Sequence, residues 1–258
     1  MNSISKITLA GILSLTIPAL AAADDGVDDE KHNGKYDVNT RTESSTPLDA
    51  TEAAHLTFMR EEEKLARDVY LKFAEWYPEQ SVFSNIATTS EQTHTDTMRD
   101  RLAFYNIEDP NPETNNLPDS IGVFTGEEWS DYFDYRYAQL TEWGGQSELD
   151  ALHAGALIEE LDMHDIADCP SIMHDPEAYE DVFDSEVEYV EYPDPCGLTY
   201  TDETGLINAY SSLIDGSENH LRAYVGQIEA VNGYCSYEAQ YLDQEEVDAI
   251  LGRSCDDI

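Results

Sequence analysis

The chain has 258 residues and a formal net charge of −42, from 55 acidic against 13 basic side chains. This excess of acids excludes nucleic-acid binding, which needs clustered Lys and Arg against the phosphate backbone, and it disfavours contact with anionic membrane surfaces. An acidic surface suits a saline habitat or the attraction of cations to functional sites.

The first 23 residues have the pattern of a secretory signal peptide. Lys6 ends a short basic start, an apolar run covers residues 7–20, and cleavage is predicted after Ala21 or Ala23. The run is too short to span a bilayer, and no later stretch reaches about 18 uninterrupted apolar residues. We therefore predict an exported protein, periplasmic or secreted, with no membrane partner.

The rest of the chain divides into an acidic segment and one helical domain. Residues 24–47 have almost no apolar side chains to offset their ordering entropy, so this segment is predicted to be disordered. In residues 48–258 apolar side chains recur at steps of three and four, and strand-like alternation is scarce. The predicted fold class is all-α.

Five long helices and a short C-terminal one are predicted in this domain. Pro78 ends the first helix, a Pro- and Asn-rich linker over residues 109–118 follows the second, and Gly144-Gly145 separates the third from the fourth. The predicted helices cover about residues 49–77, 81–106, 127–143, 147–168, 202–231 and 245–251.

The four cysteines predict two disulfides, as expected in an exported chain. No Cys-x-x-Cys spacing suggests a zinc site. Of the three pairings we favour Cys169 with Cys196 and Cys235 with Cys255, because each closes a loop of moderate length. The first pair bounds an acidic insertion, residues 168–199, that has no Lys or Arg and is expected to be irregular or a short hairpin.

Carboxylates and imidazoles recur on the predicted inward faces of four helices. Glu91-x-x-His94 puts both side chains on one face of the second helix, about one turn apart. Such groups are costly to bury unless they are paired, hydrogen-bonded or bound to a metal. The candidate metal ligands are Glu63, Glu91, His94, Glu159, Asp162 and His220.

Two of these positions have a competing neighbour. Glu62 competes with Glu63, and Glu160 competes with Glu159, and each alternative rotates the ligand by about 100° around its helix. The periodicity of the apolar seam favours Glu63 and Glu159 and leaves the alternatives open.

The ligand pattern predicts a site for two metal ions. Helical bundles that bind two iron or manganese ions take a glutamate from each of two helices and a Glu-x-x-His from each of the other two. Oxygen and imidazole ligands without a thiolate favour iron, with manganese next and zinc or copper as alternatives.

The segment Glu63-Lys64-Leu65-Ala66-Arg67-Asp68-Val69-Tyr70 resembles the first metal-binding helix of rubrerythrins, and Ile86-Ala87 followed by Glu91-Gln92-Thr93-His94 resembles the second. With Ile158–Asp162 and Gly216–Arg222, the chain from about Pro47 to Asp248 looks most like an exported branch of the ferritin-like superfamily described as a domain of unknown function. The resemblance implies a four-helix bundle with an extra helix, two bound ions, and oxidase or peroxidase chemistry that uses an external electron donor.

The chain departs from the ferritin-like pattern at Ser217, where the family has a glutamate three residues before His220. Either Asp162 replaces that carboxylate in a rearranged site, or only one metal binds tightly. Tyr70 and Tyr224 are expected to relay electrons or to fill the core.

We predict a di-iron or manganese redox protein. A non-enzymatic metal-binding or storage protein and a metal-free interaction domain are the alternatives. The substrate, the electron donor and self-association into a homo-oligomer stay open.

Overall fold

The structure is a computed structural model that describes residues 47–112, 118–176, 178, 182 and 190–255. All regular elements among these residues are helices, which confirms the predicted all-α class. The predicted signal peptide, nearly all of the acidic segment before Pro47, and parts of the linker and the insertion lie outside the described residues.

The helices begin and end at most three residues from the predicted positions. A short helix, Ser171–His174, occurs in the insertion, so the expectation of irregular backbone or a hairpin is wrong for these residues. The α-helices are α1 (Ala50–Trp76), α2 (Ser81–Asn85), α3 (Gln92–Tyr105), α4 (Ser130–Gly144), α5 (Glu148–Ala167), α6 (Ser171–His174), α7 (Thr204–Asn232) and α8 (Gln244–Leu251), with a π-helical segment, Ile86–Glu91, joining α2 to α3.

Local sequence signals fix the ends of these helices. At the start of α1 the Asp49 carboxylate accepts the backbone N–H of Glu52 at 2.9 Å, and the Glu52 carboxylate accepts that of Asp49 at 3.0 Å. Ser147 caps α5 in the same manner through the N–H of Asp150. Asn106, with φ of 58°, ends α3 in the left-handed conformation.

Four long helical segments close into a ring. The helix α1 packs along α3, α3 contacts α7, α7 packs along α5, and α5 returns to α1, while α4 lies against α1 and α5. Apolar side chains from the whole ring are buried inside it, and each stabilises the fold by about 1.5–3 kcal/mol. They include Leu56, Met59, Phe73, Phe83, Leu102, Leu152, Ile158, Leu206, Leu213 and Ile228.

The helix α1 is buried on its outer side as well. Phe58 packs against Trp129 and Phe133 at ring-centroid distances of 5.5 Å and 5.0 Å, because α4 covers this face. The buried Asp68 carboxylate pairs with Lys64 and Arg67. These pairings allow charged side chains to be enclosed without leaving a lone buried charge.

The cysteines pair as predicted. Cys169 and Cys196 have Cα atoms 4.8 Å apart, and Cys235 and Cys255 have theirs 5.9 Å apart. Two disulfides are typical of a protein that folds in an oxidising environment. Among the described helices, none combines the length and apolar character that crossing a membrane demands.

Candidate metal centre

The six predicted ligand residues lie inside the ring of helices, and none exposes more than 7% of its surface. Each element of the ring contributes at least one of them. Glu63 comes from α1, Glu91 and His94 from the junction of the π segment with α3, Glu159 and Asp162 from α5, and His220 from α7.

Glu91 is the centre of the arrangement, because its two carboxylate oxygens face different histidines. Oε1 lies 2.8 Å from Nδ1 of His220, and Oε2 lies 3.5 Å from Nδ1 of His94. The same Nδ1 of His94 also lies 3.2 Å from Glu63 Oε2. Nδ1 of His220 also lies 3.2 Å from Glu159 Oε2.

The contacts define two groups of three potential ligands that share one carboxylate. Glu63, Glu91 and His94 form the first group, and Glu91, Glu159 and His220 form the second. Within each group the ligand atoms lie within 4.8 Å of one another. The structure thus brings five of the six predicted residues into two matched sets, each with two carboxylates and one imidazole.

Asp162 belongs to neither set. One of its oxygens, Oδ2, accepts a hydrogen bond from the hydroxyl of Ser217, the residue at which the chain departs from the ferritin-like pattern. The other oxygen, Oδ1, and Glu63 Oε1 have no hydrogen-bond partner among the described residues. Buried carboxylate oxygens without donors are costly, and a bound cation would satisfy them.

The π segment brings Glu91 to the centre. At its end the N–H of Gln92 donates to the carbonyl of Ala87, five residues back, instead of four. Two hydroxyls support the wide turn, since Thr88 donates to Ser84 O and Thr89 to Asn85 O. Single π turns inside α-helices are frequent at functional sites. The predicted helix has the right extent, but this change of register was missed.

The family profile described as an uncharacterized protein domain, DUF2202, matches residues 52–188 and 196–254. The chain belongs to the DUF2202 family. It is 37% identical over 210 residues to the uncharacterized protein MJ0754 of Methanocaldococcus jannaschii, an alignment that covers 81% of this chain and 90% of that one. The crystal structure of the hypothetical protein MJ0754 from Methanococcus jannaschii DSM 2661 is similar in fold, with a TM-score of 0.62 at 35% identity over 82% of this chain and 97% of that one.

Three consecutive glutamates of this DUF2202 domain face three different neighbours. Glu61 accepts a hydrogen bond from the Asn111 amide at 3.2 Å. Glu62 forms a hydrogen bond with Asp165 of α5, and the burial of this acidic pair raises the pKa of Glu62 well above its usual range. Only Glu63 faces His94. The structure therefore places Glu63, and not Glu62, among the grouped carboxylates.

The second register question has a similar answer. Glu159 faces His220, whereas Glu160 points to the C-terminal segment of the DUF2202 domain. Glu160 Oε1 accepts from the Tyr237 hydroxyl at 2.6 Å. Its Oε2 accepts three backbone N–H groups, those of Gln240, Tyr241 and Leu242, at 2.9, 2.6 and 2.9 Å. Glu160 is thus a structural anchor, a role that the sequence pattern did not indicate.

Burial and the histidines act on the carboxylates in opposite directions. Burial raises the pKa of Glu63 to about 7 although His94 opposes it, and it raises the pKa of Glu159 in the same way. The pKa of Asp162 lies well above its usual range, because burial is reinforced by neighbouring carboxylates. Glu91 differs: burial would raise its pKa, but the two flanking histidines hold it well below its usual range.

The histidines are charged at neutral pH when no metal is bound. Burial lowers the pKa of each imidazole, but the carboxylates around Nδ1 outweigh it and raise the pKa of His94 to about 12 and that of His220 to about 10. Divalent cations would replace these protons. The positive charge of two divalent ions is balanced by the ionised carboxylates of Glu63, Glu91, Glu159 and Asp162. The residues present therefore fit a two-metal site.

Tyr70 is a neighbour of the centre whose partner could not be read from the sequence. Its hydroxyl donates to Glu159 Oε1 at 2.6 Å, on the oxygen that does not face His220. Its ring packs against Tyr224 at a centroid distance of 5.2 Å. Both rings are fully enclosed, so they fill the core, and Tyr70 also orients Glu159.

Proposed function

We propose that this protein is an exported, ferritin-like metal-binding protein that holds two iron or manganese ions inside its ring of helices and reduces dioxygen or peroxide there. The observation that carries the proposal is the position of Glu91, with one oxygen facing each histidine. Glu91 belongs to both ligand sets, so its carboxylate could help to hold both cations.

The order of ligands along the chain supports the ferritin-like assignment. In di-metal bundles two helices give a glutamate each and the other two give a Glu-x-x-His each. Here Glu63 and Glu159 lie on α1 and α5, and Glu91-x-x-His94 lies opposite His220 of α7. Only the position of Ser217 departs from that pattern, and Asp162 supplies a carboxylate beside it.

The donor atoms support iron or manganese. Each set offers carboxylate oxygens and one imidazole nitrogen, and the cysteines are in disulfides. Carboxylate oxygens and imidazole nitrogens without a thiolate suit manganese and iron. Zinc and copper also bind imidazole, so they are the alternatives.

Bound iron or manganese would supply the electrons that reduction of dioxygen or peroxide requires. The chain's own residues would bind the ions, orient the ligands and enclose the centre. The histidine side chains expose 9% and 8% of their surface, and those of Glu63, Glu91 and Glu159 expose less, so His94 and His220 are the most exposed of these five ligands. Tyr70 keeps its proton, since burial raises the pKa of its hydroxyl well above the usual range, and the hydroxyl donates a hydrogen bond to Glu159.

Repeated turnover would need an electron donor from outside the chain. The sequence has no Cys-x-x-Cys pair of the kind that holds a rubredoxin iron. The donor is therefore a separate partner, and its identity is not part of the proposal.

The signal-like N-terminus and the two disulfides together support export. Disulfides persist in the periplasm and outside the cell, where reducing systems are weak. Iron handled there would meet dioxygen or peroxide directly.

Non-enzymatic metal storage is the second candidate function, and the net charge of −42 favours it. Such a charge concentrates cations near the protein surface. The two functions differ in turnover, because an enzyme consumes oxidant repeatedly when a donor is present, whereas a storage protein takes up metal once.

The deciding experiment is metal analysis of the wild type purified from its native compartment, beside Glu91→Ala and His94→Ala. Glu75→Ala is the control, since Glu75 is an exposed glutamate of α1. We expect close to two ions of iron or manganese per wild-type and control chain, loss of both ions in Glu91→Ala, and loss of at least one in His94→Ala.

Peroxide and dioxygen consumption by the loaded protein, with a chemical reductant, then separates enzyme from store. A wild type without transition metal, even after anaerobic incubation with ferrous iron, would contradict both metal functions and leave an interaction domain.

A further inference from the structure

Gly216 of α7 lies against the His94 imidazole. A Cβ atom built at position 216 would lie 2.5 Å from Cε1 and 2.6 Å from Nε2 of His94, whereas ordinary contacts begin at 3.4 Å. The edge of the imidazole therefore occupies the space that any other residue at this position would fill with its side chain.

The Nδ1 atom of the ring, which is bonded to Cε1, faces the ligand carboxylates. Nδ1 of His94 lies 3.2 Å from Glu63 Oε2 and 3.5 Å from Glu91 Oε2. Nε2 lies 3.4 Å from the Ser90 hydroxyl. The imidazole thus contacts α7 through Cε1 and Nε2 and the two carboxylates through Nδ1, so a displacement of the ring by a side chain at position 216 would change the distances between Nδ1 and the ligand oxygens.

We propose that Gly216 is a positioning residue for the metal centre: its missing side chain lets His94 approach α7 so that Nδ1 faces Glu63 and Glu91. The inference rests on the proposed function, because positioning matters only if His94 binds a metal. Metal–ligand distances tolerate about 0.2 Å of error. A methyl group at position 216 would displace the ring by more than that, as the contact distances show.

Helix stability does not explain a glycine here. Gly216 lies in the middle of α7, where glycine is less favourable than alanine because it loses more backbone entropy on folding. Gly226 of the same helix provides a matched comparison, since an added Cβ there has no atom of the described residues within 4 Å. The two glycines differ in their contacts and share their helix.

The test compares wild type, Gly216→Ala and Gly226→Ala by native mass spectrometry during anaerobic titration with ferrous iron and, separately, with Mn²⁺. We expect Gly226→Ala to match the wild type. In Gly216→Ala the ion held by Glu63, Glu91 and His94 should bind about 10- to 100-fold more weakly, the usual effect of losing a group that orients a ligand. The ion at His220 should be retained.

A double variant tests whether Gly216 acts through His94. In Gly216→Ala with His94→Ala the shorter side chain leaves room for the methyl group, so the double variant should fold and bind metal as His94→Ala does. If the double variant binds metal more weakly than His94→Ala or fails to fold, Gly216 serves helix packing and the proposal is overturned. Wild-type affinity for both ions in Gly216→Ala would overturn it as well.

A metal-free measurement separates this inference from the proposed function. Nitrogen-15 NMR of His94 in chelator-treated protein reports the hydrogen bonding at Nδ1. The signal should change in Gly216→Ala and stay unchanged in Gly226→Ala. If the wild type binds no metal, the proposed function fails, yet this comparison still decides whether Gly216 positions the imidazole.

Discussion

Neutralising two adjacent carboxylates of α5 should have opposite consequences. Glu160→Gln should lower the free energy of unfolding of the metal-free protein and leave the ligand groups intact, because Glu160 faces the C-terminal segment. Glu159→Gln should weaken metal binding without lowering that free energy, because Glu159 faces His220.

The size of the Glu160 effect follows from its hydrogen bonds. A glutamine oxygen can still accept the three backbone N–H groups that now reach Oε2. The bonds become neutral, and a charged acceptor contributes about 1.5–3 kcal/mol per bond against about 0.5–1.5 for a neutral one. The difference of about 1 kcal/mol for each of three bonds gives a loss of about 3 kcal/mol.

The Glu159→Gln substitution should not lower the free energy of unfolding. Burial raises the pKa of Glu159 in the folded protein, so its ionised form opposes folding at pH values above the ordinary glutamate pKa of 4.5. Removing that charge at pH 7 relieves this cost, and His220 keeps Glu91 at 2.8 Å as a partner. We therefore expect a free energy of unfolding equal to the wild-type value or higher.

Urea unfolding at pH 7 with a chelator, followed by circular dichroism, measures both free energies, and native mass spectrometry measures metal binding. The control is Glu238→Gln, an exposed glutamate of the same C-terminal segment, which should change the free energy of unfolding by less than about 0.5 kcal/mol. A Glu160→Gln variant as stable as this control, or a Glu159→Gln variant that loses about 3 kcal/mol, would refute the reasoning.

Two further predictions concern pH and the disulfides. The metal-free protein should lose stability as the pH rises from about 6.5 to 10, because the folded-state pKa values of His94 and His220, about 12 and about 10, exceed the ordinary histidine pKa of 6.5. The contribution is complete below pH 6.5, so an unfolding midpoint that rises with pH in chelator would contradict it. Replacing Cys235 and Cys255 with serine should lower the free energy of unfolding by about 3 kcal/mol, the chain-entropy value for a separation of 20 residues. Urea titration checks this, and a change under about 1 kcal/mol would show that the loop is already constrained.

The sequence predicted the helices well where local chemistry sets them. Pro78 ends the first predicted helix and follows the end of α1, and steps of three and four place Glu63 on the inward face. These signals act within a few residues, so they can be read without the tertiary structure. The cysteine pairing was also predicted, from loop length alone.

The missed features depend on long-range contacts. Glu61 and Glu62 are as enclosed as Glu63, because α4 and the segment near Asn111 cover the outer face of α1. The spacing of apolar residues distinguishes a buried helix face from a solvent-exposed one. It cannot show which of several buried faces is directed at the metal centre. The π segment before Glu91 was missed for a related reason, since the Thr88-Thr89 hydroxyl bonds that support it also occur in ordinary helices.

In the run Glu61-Glu62-Glu63, the partner of each glutamate depends on its angular position around the helix axis, since the three residues are chemically identical. Each step along α1 turns a side chain by about 100°, towards the Asn111 loop, then α5, then His94. Inserting one residue between the Asp49 cap and this run would leave the local sequence of glutamates unaltered while moving each glutamate into the environment of the residue that follows it. Alanine insertion should therefore be far more damaging here than alanine substitution at an exposed site of the same helix.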